Sequence, residues 1–247
     1  VDGQLRRRAY IMNNDPMTAI VEFQVNSETT TTDEWLNEWA VRAEDARDGE
    51  PDTPAYASAL NAESEGSVLV FERYAHGDDS LSKHSARDAH ELLRSRMGEN
   101  NMTKRRVMSA RFSDVNGYGW WSRKDHRDLM NEPNVIVTIL GMRFETVEQR
   151  DRFIDLSQVH AQYCWDEEPD TLVYSGGIAT SDADREIDLR KGDLVFVMAC
   201  TDLAAFEKHR DDPNHLALGE KFAQAGINIE SPFMRTYRTT GHGYLWK

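Results

Sequence analysis

One pattern of residues occurs twice in this chain, and this repeat restricts the fold more than any other feature. The segment GEPDTPAY at 49–56 returns as EEPDTLVY at 167–174, 118 positions later. Two further matches lie later in each copy: Lys83, His84 and His90 return as Lys208, His209 and His215, and NGYGWW at 116–121 loosely matches GHGYLW at 241–246. A repeat of this length indicates two copies of one domain rather than a solenoid of short units.

The same order of elements is predicted in each copy: strand, helix, strand, strand, helix, strand. The first strands are the β-branched runs AIVEFQV at 19–25 and VIVTILGMRF at 135–144. Helices follow, because apolar residues recur at helical spacing from Trp35 and from Phe153. This order is that of the ferredoxin-like fold. We therefore predict an α+β protein with an N-terminal tail over 1–16, one ferredoxin-like domain over 17–125 and a second over 134–247.

The predicted strands are apolar on both faces. In SVLVFERY at 67–74, Val68 and Val70 face one side while Leu69 and Phe71 face the other, so neither face suits water. Helices cover only one face of such a sheet. We expect the two antiparallel sheets to pack face to face as an internal barrel, with a cavity for an apolar ligand between sheets and helices.

Composition excludes several classes of partner. A formal charge of −14 over 247 residues argues against a nucleic-acid partner, whose phosphates need a basic surface. No apolar run is long enough to span a bilayer and no signal peptide is visible, so we expect no membrane partner and a cytoplasmic protein. Cys164 and Cys200 lack the spacing of a metal motif, and we expect reduced thiols and no metal site.

The repeated histidines are the candidate chemical groups. Two positions six apart on one helix point about 120° away from each other. Asp212-Pro213, however, has the form of a helix N-cap followed by proline, which predicts a helix break that turns His209 and His215 toward one space. Histidine is suited to take a proton from a phenol and return it. The alternatives are capping or surface roles for these histidines, and a core role for His160, which stands at the position of Arg42 in the first copy.

The stretch VLVFERYAHGDDSLSKHSARDAHELL at 68–93, with EPDTPAY before it, resembles the antibiotic biosynthesis monooxygenase family of dimeric α+β barrels. The resemblance covers both copies, although Asp52 stands where that family usually has glycine. It implies a ferredoxin-like barrel that binds aromatic substrates and often oxygenates them without metal or permanently bound cofactor. The family pattern falls on Glu72, Tyr74, His84 and His90. In the second copy it keeps His209 and His215, with Val197 and Ala199 expected at the Glu and Tyr positions.

The resemblance implies an oxygenase acting on an electron-rich polycyclic aromatic, such as a polyketide quinol or anthrone. Two-copy members of the family include oxygenases that open the B ring of angucyclines, and the resemblance extends to this subgroup. The predicted catalytic residues are His84, His90, Glu72, His209 and His160, and the predicted substrate-binding residues are Trp39, Tyr56, Tyr74, Tyr174 and His215. O₂ is the expected cosubstrate, with or without reduced flavin from a flavin reductase. The oligomeric state is open, with a homodimer as one option. Two alternatives remain: a haem-binding or haem-degrading α+β barrel, and a non-catalytic carrier of a hydrophobic aromatic.

Overall fold

The computed structural model of the protein describes residues 15–123, here called the first half, and 132–247, the second half. Residues 1–14 of the predicted tail and 124–131 of the predicted domain boundary lie outside the described residues.

Both halves follow the predicted order of elements, except that the histidine-bearing helix is two helices in each. The first half contains β1 (Met17–Val25), α1 (Thr32–Gly49), β2 (Ala55–Asn61), β3 (Ser67–Tyr74), α2 (Gly77–Ser85), α3 (Asp88–Glu99) and β4 (Thr103–Trp120). The second half contains β5 (Pro133–Phe144), α4 (Val147–Glu167), β6 (Thr171–Ala179), β7 (Asp184–Arg185), β8 (Leu194–Cys200), α5 (Leu203–Asp211), α6 (Pro213–Gln224) and β9 (Ile229–Tyr244). Strand β7 lies within the loop that lengthens the second copy.

Side-chain caps fix where the main helices begin. Thr31 accepts a hydrogen bond from the backbone N–H of Glu34, whose carboxylate accepts from the backbone of Thr31, so α1 starts with a capping box. Thr146 caps α4 in the same way with its hydroxyl. Asp212 caps α6 with Pro213 at the first helical turn, which confirms the predicted break between the two histidines of the second half.

The eight long strands form one closed antiparallel barrel. First-half strands are hydrogen-bonded in the order β4-β1-β3-β2, and second-half strands in the order β9-β5-β8-β6. Two seams join them, since β2 pairs with β9 and β4 pairs with β6. The two sheets are thus opposite walls of one hydrogen-bonded barrel, and closure leaves neither sheet with a free edge.

The barrel interior is filled by apolar side chains from both halves. A single buried cluster contains Ile20, Leu69, Phe112, Val137 and Val195. Alternate residues of the same strands point outward and are covered by the helices, as the two-faced strand pattern predicts. Because the interior is packed, space for chemistry lies between the barrel wall and the helices.

The last strand of each half ends in packing contacts with the other half. Tyr244, at the end of β9, packs among first-half residues, while Trp120, at the end of β4, stacks on Tyr174 of the second half. The Lys247 ammonium donates to carbonyls at the end of α1, and the Arg123 guanidinium donates to carbonyls at the end of α4. A cation there complements the partial negative charge of a helix C-terminus. None of the helices among the described residues combines the length and apolar character needed to cross a bilayer.

Candidate functional site

Two clusters of titratable side chains lie between the barrel wall and the helices, one in each half. The first-half cluster consists of Arg42, Glu50, Tyr56, Glu72, Tyr74, His84 and His90. The second-half cluster consists of His160, Cys164, Glu168, Tyr174, His209 and His215. Every residue predicted from the sequence to be catalytic or substrate-binding lies in one of them or, for Trp39, in contact with Tyr56.

The break between α2 and α3 turns His84 and His90 toward each other. His84 lies in the last turn of α2 and is 1% exposed. His90 lies in the first turn of α3, and the two ring centroids are 5.4 Å apart. His209 and His215 approach even more closely, at 4.6 Å. The sequence predicted this break only for the second half, where proline marks it.

A buried carboxylate holds His84 in place. Glu50, which directly follows α1, lies with Oε2 2.8 Å from Nδ1 of His84. The Thr53 hydroxyl donates to the same oxygen at 2.8 Å, and Nη2 of Arg42 donates to Oε1 at 2.5 Å. Burial opposes ionisation of Glu50, but these hydrogen bonds and the neighbouring charges outweigh it and lower its pKa to about 2. Glu50 is therefore a fixed negative charge at neutral pH.

The hydrogen-bond pattern assigns the tautomer of His84. Nη2 of Arg42 lies 2.8 Å from Nδ1 of His84, but its two hydrogens are directed to Glu50 and to the His84 carbonyl oxygen at 3.1 Å. Glu50 can only accept, so Nδ1 of His84 carries the hydrogen. Nε2 then carries the lone pair, and it is buried with no hydrogen-bond partner in the part of the chain that the structure describes. This leaves a base whose other nitrogen is anchored to a carboxylate.

His90, Glu72 and Tyr74 complete the polar part of the first-half cluster. Burial, together with repulsion by Arg42 and by His84 when that ring is protonated, lowers the pKa of His90 to about 4, so its imidazole is neutral at pH 7. Burial raises the pKa of Glu72, and the Tyr74 hydroxyl donates a short hydrogen bond to its carboxylate. Tyr74 meets the His84 ring edge to face, with centroids 5.5 Å apart.

The aromatic candidates of the first half form the wall of the cluster. Nε1 of Trp39 donates to the hydroxyl of Tyr56 at 3.1 Å, and both side chains are almost fully buried. The Tyr56 ring lies 5.0 Å from the His84 ring. Trp39 and Tyr56 therefore position His84 as much as they offer a surface to a ligand.

Among the described residues, one cavity is lined by the first-half cluster and a second lies beyond Tyr74. One, of about 200 Å³, is lined by residues around Glu50, Ser80 and His84. A larger cleft of about 580 Å³ lies over the seam where β1, β4 and β6 meet, and Met17 and Arg111 line it. Only the larger cleft has the volume usual for small-molecule sites, about 300–1,000 Å³.

Tyr74 lies between the seam cleft and His84. It packs against Met17, which lines the cleft, and against the His84 ring. On the same face of the barrel wall, Arg111 is paired with Ala19 and Ala19 with Glu72. The charge of Arg111 acts on Glu72 across this row. The Glu72–Tyr74 pair thus lies between the cleft and the buried His84.

The second-half cluster repeats the carboxylate–histidine pair with different neighbours. Oε2 of Glu168 lies 2.7 Å from Nδ1 of His209, and Thr171 donates to the same oxygen at 3.0 Å. His160 takes the place of Arg42. Burial, together with repulsion by His209 and His215 when those rings are protonated, lowers the pKa of His160 to about 4, and burial also lowers the pKa of His215. Three imidazoles thus share the second-half cluster.

The expected positions of Val197 and Ala199 in the second half are wrong by one residue. The backbone N–H of Ala75 donates to Asp52, and that of Thr201 donates to Asp170, which aligns Tyr74 with Cys200. The side chains beside the second-half cluster are therefore Met198 and Cys200, while Val197 and Ala199 face the barrel interior. The second half still lacks the acid and phenol of the first.

Sequence reasoning missed the two charges that organise the first-half cluster, Glu50 and Arg42. The signal was present for Glu50, because the repeated EPDT and EEPDT segments carry Glu50 and Glu168 at the same position. No sequence pattern pointed to the seam cleft or to Arg111 as one of its lining residues, because the cleft forms only where strands of the two halves pair.

Comparisons with known proteins show likeness in fold only. No family model matches the chain, and no curated protein matches it. A solved structure named "putative monooxygenase", from Lactobacillus acidophilus, is similar with a TM-score of 0.67 and 11% identity, covering 94% of this chain and 99% of that one. An anthrone oxidase-like protein gives a TM-score of 0.52 and 12% identity, covering 92% of each chain. A chlorite dismutase mutant from Candidatus Nitrospira defluvii gives 0.53 and 11%, covering 93% of each. The fold is thus shared by proteins named for different reactions, and the side chains must distinguish them.

Proposed function

We propose that this protein is an oxygenase of electron-rich hydroxylated aromatic compounds and that the first-half cluster carries the reaction. The observation that supports it most directly is His84. Its Nε2 is buried with no hydrogen-bond partner within residues 15–123 and 132–247, while Glu50 holds its Nδ1. A general base needs this arrangement, because the carboxylate stabilises the imidazolium that forms when a proton is taken.

The substrate lies in the seam cleft, with a hydroxyl directed at the wall formed by Met17 and Arg111, behind which Tyr74 and Glu72 are packed. Volume supports this placement, since 580 Å³ accommodates a polycyclic compound better than the 200 Å³ beside His84. Arg111 lines the cleft and offers a positive charge to the anion that deprotonation produces.

The phenolic proton is taken up at Nε2 of His84, and the Glu72–Tyr74 pair, whose phenol ring contacts the His84 ring, lies between the substrate and that nitrogen. The resulting phenolate transfers one electron to O₂, and recombination of the two radicals forms a carbon–oxygen bond. The peroxide takes up the proton and loses water, leaving a carbonyl at a carbon that carried hydrogen. One oxygen atom enters the product and the other leaves as water, so the substrate itself supplies both electrons. Acid-base work of this kind contributes about 10²- to 10⁴-fold.

Arg42 supports a reaction without metal in the first half, because its guanidinium has no lone pair to ligate an ion and repels a divalent cation. The finer expectations extend the proposal. They are a polyketide quinol or anthrone as substrate, opening of the B ring of an angucycline, reduced flavin from a reductase, a homodimer, action in the cytoplasm, and two tandem ferredoxin-like domains. The strand order of each half supports the last of these.

Oxygen consumption with a panel of anthrones and polycyclic hydroquinones tests the proposal, with and without reduced flavin. We expect turnover in the wild-type protein, a loss of at least about 10-fold in His84→Ala, and a smaller loss in Tyr74→Phe. His76→Gln is the matched control, because His76 lies in the same half with an exposed side chain. Wild-type turnover in His84→Ala would contradict the proposal.

The two alternatives give different results. A haem protein would show a Soret band after titration with haem. A carrier would bind an aromatic tightly in the seam cleft without consuming oxygen.

A further inference from the structure

The second-half cluster brings together three histidines from three helices. His160 comes from α4, His209 from α5 and His215 from α6. One potential ligand nitrogen from each lies within 4.8 Å of the others. The reaction proposed for the first half uses none of them.

We propose that His160, His209 and His215 form a binding site for a divalent transition-metal ion of the zinc type. Ring spacing supports this directly. With Zn–N distances of about 2.0–2.1 Å, tetrahedral geometry places ring centroids about 5.2 Å apart. The three observed separations are 5.6 Å for His160–His209, 5.5 Å for His160–His215 and 4.6 Å for His209–His215. Small ring rotations bring the three nitrogens into coordination distance.

The surroundings of His209 are those of a metal ligand. Its Nδ1 donates to Glu168 at 2.7 Å, so Nε2 carries the lone pair. A carboxylate bound to the outer nitrogen of a ligating histidine fixes the tautomer and increases the basicity of the ring. Nδ1 of His215 is buried and has no hydrogen-bond partner among the described residues. Three histidine ligands leave a fourth position for water or another ligand.

A second set of ligands, Cys164, Glu168 and His209, also lies within reach of one ion. It would use the thiolate of Cys164, whereas burial raises the pKa of that thiol. The three-histidine set needs no thiolate and is the one proposed.

The first half provides an internal control, because it differs at the decisive position. Arg42 stands there instead of His160, and the histidines of the first-half cluster are His84 and His90. A guanidinium cannot ligate a cation and repels it. Exchanging these two residues between the halves should therefore move the metal site.

The test is Zn²⁺ titration of tag-free, chelator-treated protein against a chromophoric chelator, with metal content measured after dialysis. We expect one ion per wild-type chain, unchanged binding in His76→Gln, and a loss of at least about 100-fold in affinity in His160→Arg and His215→Asn. Arg42→His should raise the capacity to two ions. Circular dichroism identifies any variant that fails to fold. If His160→Arg does not fold, His215→Asn still tests the site, because His215 is only partly buried.

Co²⁺ distinguishes the two ligand sets. A visible spectrum of tetrahedral Co²⁺ without a thiolate charge-transfer band, unchanged in Cys164→Ala, supports the three-histidine site. A charge-transfer band that Cys164→Ala removes would overturn it in favour of the cysteine set. Binding that His160→Arg and His215→Asn leave intact, or no stoichiometric binding at all, would also overturn the proposal.

Discussion

Removing the carboxylate of Glu50 should destabilise the protein far more than removing the matching carboxylate of Glu168. Glu50 neutralises Arg42, which is 1% exposed and permanently charged. Glu168 faces His160 and His209 instead, and an imidazole can remain neutral. The two positions are equivalent in the fold, so their difference isolates the cost of a buried, unpaired guanidinium.

The structure gives the magnitude. Breaking a buried ion pair by removing one partner costs about 3–5 kcal/mol. Asp45 remains 2.9 Å from Arg42, which places Glu50→Ala near the lower end, about 3 kcal/mol. In Glu168→Ala the loss is that of hydrogen bonds from His209 and Thr171, about 1 kcal/mol in net terms. At about 2–4 °C per kcal/mol for a chain of this size, Glu50→Ala should melt about 4–8 °C below Glu168→Ala.

Thermal unfolding of chelator-treated protein at pH 7, followed by circular dichroism, measures this difference. A double variant adds a sharper condition. Arg42→Met in the Glu50→Ala background removes the unpaired charge and should restore part of the lost stability. Equal melting temperatures for the two single variants, or a further drop in the double variant, would refute the reasoning.

Three other predictions concern single positions. The pKa of His90 is lowered from 6.5 to about 4 in the folded protein, so on acidification the unfolded chain takes up a proton at this histidine at a higher pH than the folded chain does. Its contribution to stability is complete above pH 6.5 and falls as the pH drops toward 4, and urea titrations should show a flatter pH dependence in His90→Gln. Gly119 has a positive φ, and a Cβ there would collide with the carbonyl of Tyr174, so Gly119→Ala should lose at least about 2 kcal/mol, whereas Gly98→Ala, with open space and a helical backbone, should not destabilise. Lys247→Met removes hydrogen bonds to three carbonyls at the end of α1 and should cost about 1–2 kcal/mol in chemical denaturation, and an unchanged midpoint would contradict that role.

Local pattern was enough to predict most elements and, in the second half, the meeting of His209 and His215. Strand runs, the helical stripe from Trp35 and the cap at Asp212 all depend on neighbours in sequence. The seams depend on strand pairing that brings Tyr56 opposite Tyr244 and Trp120 opposite Tyr174. No local sequence pattern encodes this pairing. The seam cleft, which only those pairings create, therefore had to come from the structure.

The misplaced Val197 and Ala199 show why a repeat alone does not fix strand register. The offset between the copies is 118 at Asp52 and Asp170 and 126 at Ala75 and Thr201, but 125 at the histidines. Carrying the histidine offset back into the strand shifts it by one residue. Because side chains alternate faces with a period of two, that shift exchanged the barrel side for the helix side.

The contrast between Arg42 and His160 gives the two halves different chemistry on equivalent backbones. In both, a carboxylate after the long helix anchors a histidine through Nδ1. Where the third group is a guanidinium, it offers no lone pair to a metal ion, and the free nitrogen of the histidine is left for a proton. Where the third group is an imidazole, it adds a lone pair to the same space, and the free nitrogens can converge on a cation. We therefore expect this one position to decide which half can bind a metal ion, so exchanging Arg42 and His160 should move the metal site to the first half.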